Sequence, residues 1–262
     1  MFSFGKRILG VVLAAIISLA AAYFGTKANY EKTGKLTSPF DYLDKPSLLA
    51  TVNTQQSTIN SKKDDKPKEA AKTYLIEQVP FTPQAPHAVW DAVHKEACEE
   101  ASALMAARYF KGGRSGLIGA DNAEAEIQQL VAWQKEKFGY FEDTDVAQTA
   151  QILREYYGID QVAVRYDISI EDILNEVGKG KLVIVPAAGR RLGNPFYTPP
   201  GPLYHMLVVI GYTRDQVITN DPGTRRGLGF RFNQDVFFNA VHDWTGNKDT
   251  IETGRKAMIV VG

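Results

Sequence analysis

Read from the N-terminus, the apolar positions change their spacing several times, and each change marks a different kind of segment. An uncharged run from Ile8 to Phe24 follows the basic pair Lys6 and Arg7 and is apolar on every face. This is the pattern of an export signal. As a helix the run spans roughly 25 Å against a bilayer core of about 30 Å, so a cleaved signal peptide and an uncleaved anchor both stay open. Ala20, Ala21 and Ala22 suit a signal peptidase, whereas Tyr23, Phe24 and Gly25 prolong the run and favour an anchor. Either outcome leaves Lys6 and Arg7 on the cytoplasmic side and sends the rest of the chain outward, so residues 1–25 read as signal or membrane anchor and the localisation as extracytoplasmic. Residues 26–73 read as a polar tether. Gln55, Gln56, Ser57, Thr58, Asn60 and the charged stretch Ser61 to Lys68 hold too little apolar surface to offset the entropy of ordering, with Phe40, Tyr42, Leu43, Leu48 and Leu49 able to form one short docked segment.

A globular domain is expected over residues 74–262, opening on a strand around Leu75, Ile76, Val79, Pro80 and Phe81. Helical spacing then predicts helices over Cys98 to Phe110, Ala123 to Phe138 and Val146 to Tyr157. Another follows Ser169, where Ser-Ile-Glu-Asp is a capping pattern ahead of Ile173, Leu174 and Val177. Beyond it the period shortens. Leu182 to Ala188, His205 to Thr213, Gln216 to Thr219, Phe230 to Phe232 and Ala257 to Val261 are rich in Val and Ile and separated by Gly, Pro, Asp and Asn, as strands are. Helices first and strands second predicts an α+β domain.

Charge and cysteine content narrow the chemistry. Thirty Lys and Arg balance thirty Asp and Glu in 262 residues, which argues against a nucleic-acid partner. A hydrophobic content of 44% supports a sizeable core. The one cysteine, Cys98, forms no internal disulfide and no cysteine-rich zinc site. It starts a helix, where unpaired N–H groups and the positive end of the helix dipole favour a thiolate; the competing reading is a small core hydrophobe. His205 stands at the mouth of an apolar strand, and Asp221 closes the next strand after the tight turn Arg214-Asp215. Antiparallel pairing of these two strands brings His205 and Asp221 to one edge. A thiol, an imidazole to take its proton and a carboxylate to orient that imidazole form a catalytic relay. A metal reading, with His94 and Cys98 four residues apart and His87 or His205 as third ligand, is set aside because Cys98 begins the helix and leaves His94 in the loop before it. No metal and no organic cofactor is expected. Gly112 to Gly116 reads as a helix terminator, and Asp143 and Asp145 as caps.

The order Val-Pro-Phe-Thr-Pro-Gln from Val79, Cys-Glu-Glu-Ala-Ser from Cys98, His-Met-Leu-Val-Val-Ile-Gly-Tyr from His205 and Thr-Asn-Asp-Pro from Thr219 resembles papain-like cysteine peptidases of the bacteriocin-leader-processing type, in particular their free-standing relatives not fused to a transporter. The resemblance covers residues 79 to 222. It implies a papain-like fold in which the cysteine helix packs on an antiparallel sheet carrying His and Asp. It also implies Cys98 as nucleophile, His205 as general base and acid, Asp221 as orienting carboxylate and Gln84 as oxyanion-hole donor beside the Cys98 N–H. Gln84 lies farther from the cysteine than is usual in the family and is equally readable as a turn residue. Glu99 and Glu100 stand where the family commonly begins with glycine, and they oppose ionisation of the thiol unless they face solvent.

The stretch Gly189 to Tyr204, with Pro195, Pro199, Pro200, Pro202, Phe196 and Tyr197, leads into His205 and is expected to wall a peptide groove. Arg190, Arg191, Arg225 and Arg226 flank the same edge. The expected function is an exported, membrane-tethered cysteine peptidase acting on a peptide or protein substrate. The alternatives are a transglutaminase-like thiol acyltransferase and an inactive peptide-binding module.

Overall fold

The computed structural model describes residues 73–113 and 116–262, all within the second of two compact units, Lys66–Gly262. The expected signal or anchor, and all but the last residue of the tether, lie outside the described residues. Among the described residues no helix is long and apolar enough to cross a membrane.

A short strand β1 (Tyr74–Leu75) leads through a long loop to helix α1 (Cys98–Phe110), followed by α2 (Ala120–Phe138) and α3 (Val146–Gln151). Strand β2 (Val162–Tyr166), helix α4 (Ile170–Gly178), strand β3 (Leu182–Ala188) and the single turn α5 (Gly189–Leu192) come next. The remainder is largely sheet: β4 (Tyr204–Tyr212), β5 (Gln216–Asn220), β6 (Phe230–Asn233), helix α6 (Gln234–Ala240) and β7 (Ala257–Val261). The strands pair antiparallel in the order β2-β7-β3-β4-β5-β6. Strand β1 takes over beside β4 where β3 stops, pairing Tyr74 with Tyr212 and Leu75 with Gly211. The architecture is α+β, with helices gathered against an antiparallel sheet.

Helix α1 is buried from Cys98 to Ala107. Its alanines at 101, 103, 106 and 107 leave room for close approach, while Leu104 and Met105 are fully enclosed, each worth about 1.5–3 kcal/mol of apolar burial. The hydroxyl of Ser102 donates to the Met206 carbonyl at 3.1 Å and so ties the first turns of α1 to the start of β4. Facing it, β4 is enclosed along nearly its whole length, which explains why Met206 to Val209 is a continuous apolar run instead of an alternation.

The helix expected from Val146 to Tyr157 is regular only to Gln151; Ile152–Tyr156 winds more widely as a π-helical turn, with Tyr157 N–H reaching the Ile152 carbonyl at 3.2 Å. Helix α2 begins three residues earlier than its apolar spacing predicts, at Ala120. Asp145 caps α3 through a capping box, as expected, whereas Asp143 instead sits 3.0 Å from the Lys248 amine. The Ser169 cap forms as the sequence predicts: its Oγ accepts from Asp172 N–H at 3.2 Å and the Asp172 carboxylate accepts from Ser169 N–H at 2.8 Å. Replacing Ser169 by alanine removes one side of this reciprocal pair. We expect Ser169→Ala to lower the unfolding free energy by about 1 kcal/mol, read as a drop in urea midpoint with an unchanged slope; a midpoint equal to the parent's would mean that the cap contributes nothing.

Candidate active site

His205 is the second residue of β4, and Asp221 immediately follows β5, its neighbour in the sheet. The β4–β5 register pairs Val208 with Asn220 and Tyr212 with Val217, with an irregularity between Val209 and Gly211. This pairing brings the start of one strand beside the end of the other. His205 Nε2 lies 2.7 Å from Asp221 Oδ1, with the two side chains 1% and 0% exposed.

Three further groups hold the carboxylate. Asn194 Nδ2 donates to Oδ2 at 2.8 Å, the Tyr197 hydroxyl donates to the same oxygen at 2.7 Å, and Gly223 N–H donates to Oδ1 at 2.9 Å. Burial alone would raise the Asp221 carboxyl, but the charge and hydrogen bond of His205, together with Tyr197 and Gly223, outweigh it and hold the group below its usual range. Tyr197 also packs edge-on against the imidazole, ring centroids 5.5 Å apart. Its own ionisation is pushed well up by burial and by Asp221, so it remains a donor. A side chain at 223 has no room: a Cβ there would lie 2.8 Å from Tyr197 Cε1 and 3.0 Å from His205 Cε1. Asn194 and Tyr197 both come from the proline-rich segment that precedes β4. The sequence marks Tyr197 as a groove aromatic but gives no signal for Asn194.

Cys98 opens α1, with Ala97 at the N-cap position and no side chain capping the helix. The Ser102–Met206 bond one turn on sets this helix start against the strand that carries His205. The thiol, 5% exposed, donates to Glu99 Oε2 at 3.0 Å, not to His205. Glu99 and Glu100 do not face solvent; they are 1% and 0% exposed. Gln134 of α2 donates to Glu100 Oε1. One oxygen of each, Glu99 Oε1 and Glu100 Oε2, is buried without a hydrogen-bond partner. Burial foremost, then the charge and hydrogen bond of Glu99, then Glu100 and Asp143, push the Cys98 thiol well above its ordinary range. Burial and the neighbouring acids likewise push Glu99 well up, and burial takes Glu100 to about 7.

Gln84 is 4% exposed and is held by its backbone N–H to the Pro222 carbonyl at 2.9 Å, which places it beside the residue after Asp221. Its Nε2 donates to the carbonyls of His94 at 2.9 Å and Lys95 at 3.3 Å, and its Oε1 is buried without a partner. The two N–H groups that would serve an oxyanion are thus directed at the turn that leads into α1. His94 lies in that turn, 2.8 Å from Asp91 Oδ1 and 2.8 Å from Glu124 Oε2, away from the thiol's bonding partners.

A cleft of about 510 Å³ opens on this site. Gln84, Trp90, Phe196, Tyr197, Pro202 and Gly223 are among the residues that line it. The segment 189–204 thus forms one wall, as its composition predicts, and at the same time braces Asp221.

The model of the peptidase C39-like family matches residues 76–249, well over half of the chain and inclusive of Gln84, Cys98, His205 and Asp221. No curated protein matches. Among solved structures, a chain crystallised as a candidate C39-like peptidase from Bacillus anthracis is similar with a TM-score of 0.49 and 16% identity, over 73% of this chain and 98% of that one. The chain belongs to the peptidase C39-like family and is a cysteine-type peptidase.

Proposed function

We propose that the protein hydrolyses peptide bonds through Cys98, His205 and Asp221, in the manner of the free-standing leader-processing enzymes that its motifs resemble. We further propose that it works outside the cytoplasm, tethered or released by the apolar segment Ile8 to Phe24. The observation that carries the reading is the buried 2.7 Å contact between His205 Nε2 and Asp221 Oδ1. It commits one ring nitrogen to the carboxylate and leaves Nδ1 for the thiol proton.

In the reaction, the S–H hydrogen turns from Glu99 to His205 Nδ1 and the sulfur attacks the amide carbonyl carbon. The oxyanion is received by the Cys98 N–H, free of any side-chain cap. Gln84 joins it if its longer bond, 3.3 Å to the Lys95 carbonyl, opens. The imidazolium then gives its proton to the leaving amine as the C–N bond breaks, and water cleaves the thioester, losing a proton to His205. Asp221 stays ionised throughout and stabilises the imidazolium. Tyr197, Asn194 and Gly223 N–H keep it oriented.

One observation favours a second reading. The resting thiol is bonded to a carboxyl, in surroundings that resist ionisation, as expected of a peptide-binding module without turnover.

The two readings separate in the rate at which a peptidyl thiol-reactive probe labels Cys98. For the peptidase, His205→Ala slows labelling by about 10²- to 10⁴-fold, the range of a general base, provided that the far-ultraviolet circular dichroism is unchanged. Equal rates in parent and variant would remove His205 from the mechanism. Glu99→Gln removes a carboxyl whose ionised form opposes the thiolate and replaces it by an amide able to donate to sulfur. Its labelling profile is therefore expected to move to lower pH, with faster labelling at neutrality; an unmoved profile would show the carboxyl to be uncoupled from the thiol. Glu100 bears on stability. A carboxyl raised in the folded state stabilises fully below its unfolded value and loses that contribution as pH rises through the folded one. The unfolding free energy should thus decline from about pH 4.5 to about pH 7, and Glu100→Gln should flatten the decline. Parallel curves for parent and variant would refute this assignment.

A further inference from the structure

The cleft beside His205 carries charge of one sign. Its charged lining residues are Lys95, Arg225 and Arg226, and no carboxylate lines it. They come from two separate stretches of chain, the turn before α1 and the loop after β5. Elsewhere, Arg108, Arg165, Arg191 and Arg255 each face a carboxylate, at 3.3, 3.2, 2.6 and 2.6 Å, and Arg154 and Arg190 donate to the carbonyls of Val162 and Gly201. Among the described residues, Lys95, Arg225 and Arg226 have no such partner. Glu96, the acid nearest Lys95 in sequence, is turned to Lys248 at 2.8 Å. Arg226 is ordered in addition: its guanidinium lies 4.7 Å over the ring of Phe196, which itself stands edge-on to Phe230. A guanidinium stacked on an aromatic face loses less freedom when it meets a carboxylate and keeps its fork of N–H donors available. Trp90 and Phe196 remain 43% and 40% exposed, so apolar surface borders the cations.

Exposed arginines are ordinarily just solvated. Three features set these apart. They converge on one concave site. Their sign is uncompensated in a chain of zero net charge. The site also adjoins the imidazole, since Gly223 and Tyr197 belong both to the cleft lining and to the surroundings of His205.

We propose that this cleft selects peptide substrates that carry an aspartate or glutamate side chain close to the bond attacked, with an apolar neighbour on Trp90 and Phe196. The inference rests on the peptidase reading and adds the substrate class to it. Arg225 and Arg226 receive the carboxylate, and Lys95, also in the lining, contributes positive potential.

The test uses the full chain and pairs of peptides identical except for Glu against Gln at one position, in two forms. Fluorescein-labelled peptides report binding to the Cys98→Ala variant by anisotropy, without turnover. The same sequences as peptidyl electrophiles report the labelling rate of Cys98 in the parent. The Glu peptide should bind about tenfold more tightly than its Gln isostere and label faster by a similar factor, and both preferences should shrink as salt rises. In the double variant Arg225→Gln, Arg226→Gln the Glu and Gln peptides should come within about twofold of each other. Arg226→Lys, which keeps the charge but not the planar fork, should retain part of the preference. Equal affinities for Glu and Gln peptides, or a preference untouched by the double variant, would overturn the proposal. A preference in binding with no labelling by either electrophile would leave the acidic-peptide site standing and refute the peptidase reading instead.

Discussion

A carboxylate and an imidazole enclosed together at the junction of two strands are costly unless each finds its partners. Taking ions from water costs several kcal/mol per group even after relaxation, and only close geometry with additional hydrogen bonds repays it. Asp221 meets that condition through four donors, His205 Nε2, Tyr197 OH, Asn194 Nδ2 and Gly223 N–H. The constraint propagates outward. Tyr197 and Asn194 can reach the carboxylate only if the segment between α5 and β4 folds back over β5. Gly223 must lack a side chain because Tyr197 and His205 already fill the space. The β4–β5 register must deliver His205 and Asp221 to a common end. Much of what looks like loop around the site is therefore determined by one buried pair.

The acids at the start of α1 pose the opposite problem. Glu99 and Glu100 have the stabilising position for acids, the first turn, yet they lie in the interior with one oxygen of each unpartnered. Burial wins over the helix dipole, and the carboxyls retain their protons to higher pH than free glutamates do. A protonated Glu99 is the milder neighbour for the thiol, since it adds no charge; an ionised Glu99 both repels the thiolate and anchors the S–H hydrogen. In the proposed relay, the state of Glu99 thus decides how much of the thiol's ionisation falls to His205.

Local patterns read well from sequence wherever the decisive contacts are local or the burial is two-sided. Helix α1 and strands β3 and β7 have the limits that their apolar spacing predicts. The Ser169 cap is written in four residues. The meeting of His205 with Asp221 follows from one tight turn and antiparallel pairing. Other features depend on partners far along the chain. β2 is an edge strand whose Val-Ala-Val-Arg-Tyr sequence carries only one buried position, so its alternation is weak. Helix α6 is short and capped by Asn233, with Phe237 and Ala240 its only buried residues, too few for a period. The inward direction of Glu100 is fixed by α2, which supplies Gln134, and no spacing within α1 reveals it. The direction of the Gln84 amide is likewise set by the His94 and Lys95 carbonyls.

Zero net charge conceals a separation that matters for chemistry. Acids gather behind the thiol, with Glu99, Glu100 and Asp143 all acting on Cys98, while Lys95, Arg225 and Arg226 occupy the cleft. An acidic floor thus adjoins the sulfur, charged to the extent that its carboxyls have ionised, while a positive mouth lines the cleft. These two fields do not respond alike to the medium. The mouth is exposed, and mobile ions screen it within a Debye length of about 8 Å at physiological ionic strength. The floor is enclosed and is screened far less. For the acidic substrate proposed, raising salt weakens the attraction while leaving the opposition to the thiolate almost intact. In that proposal the rate of encounter and the reactivity of the thiol are governed by separate charges, and substitution at the rim alters one without touching the other.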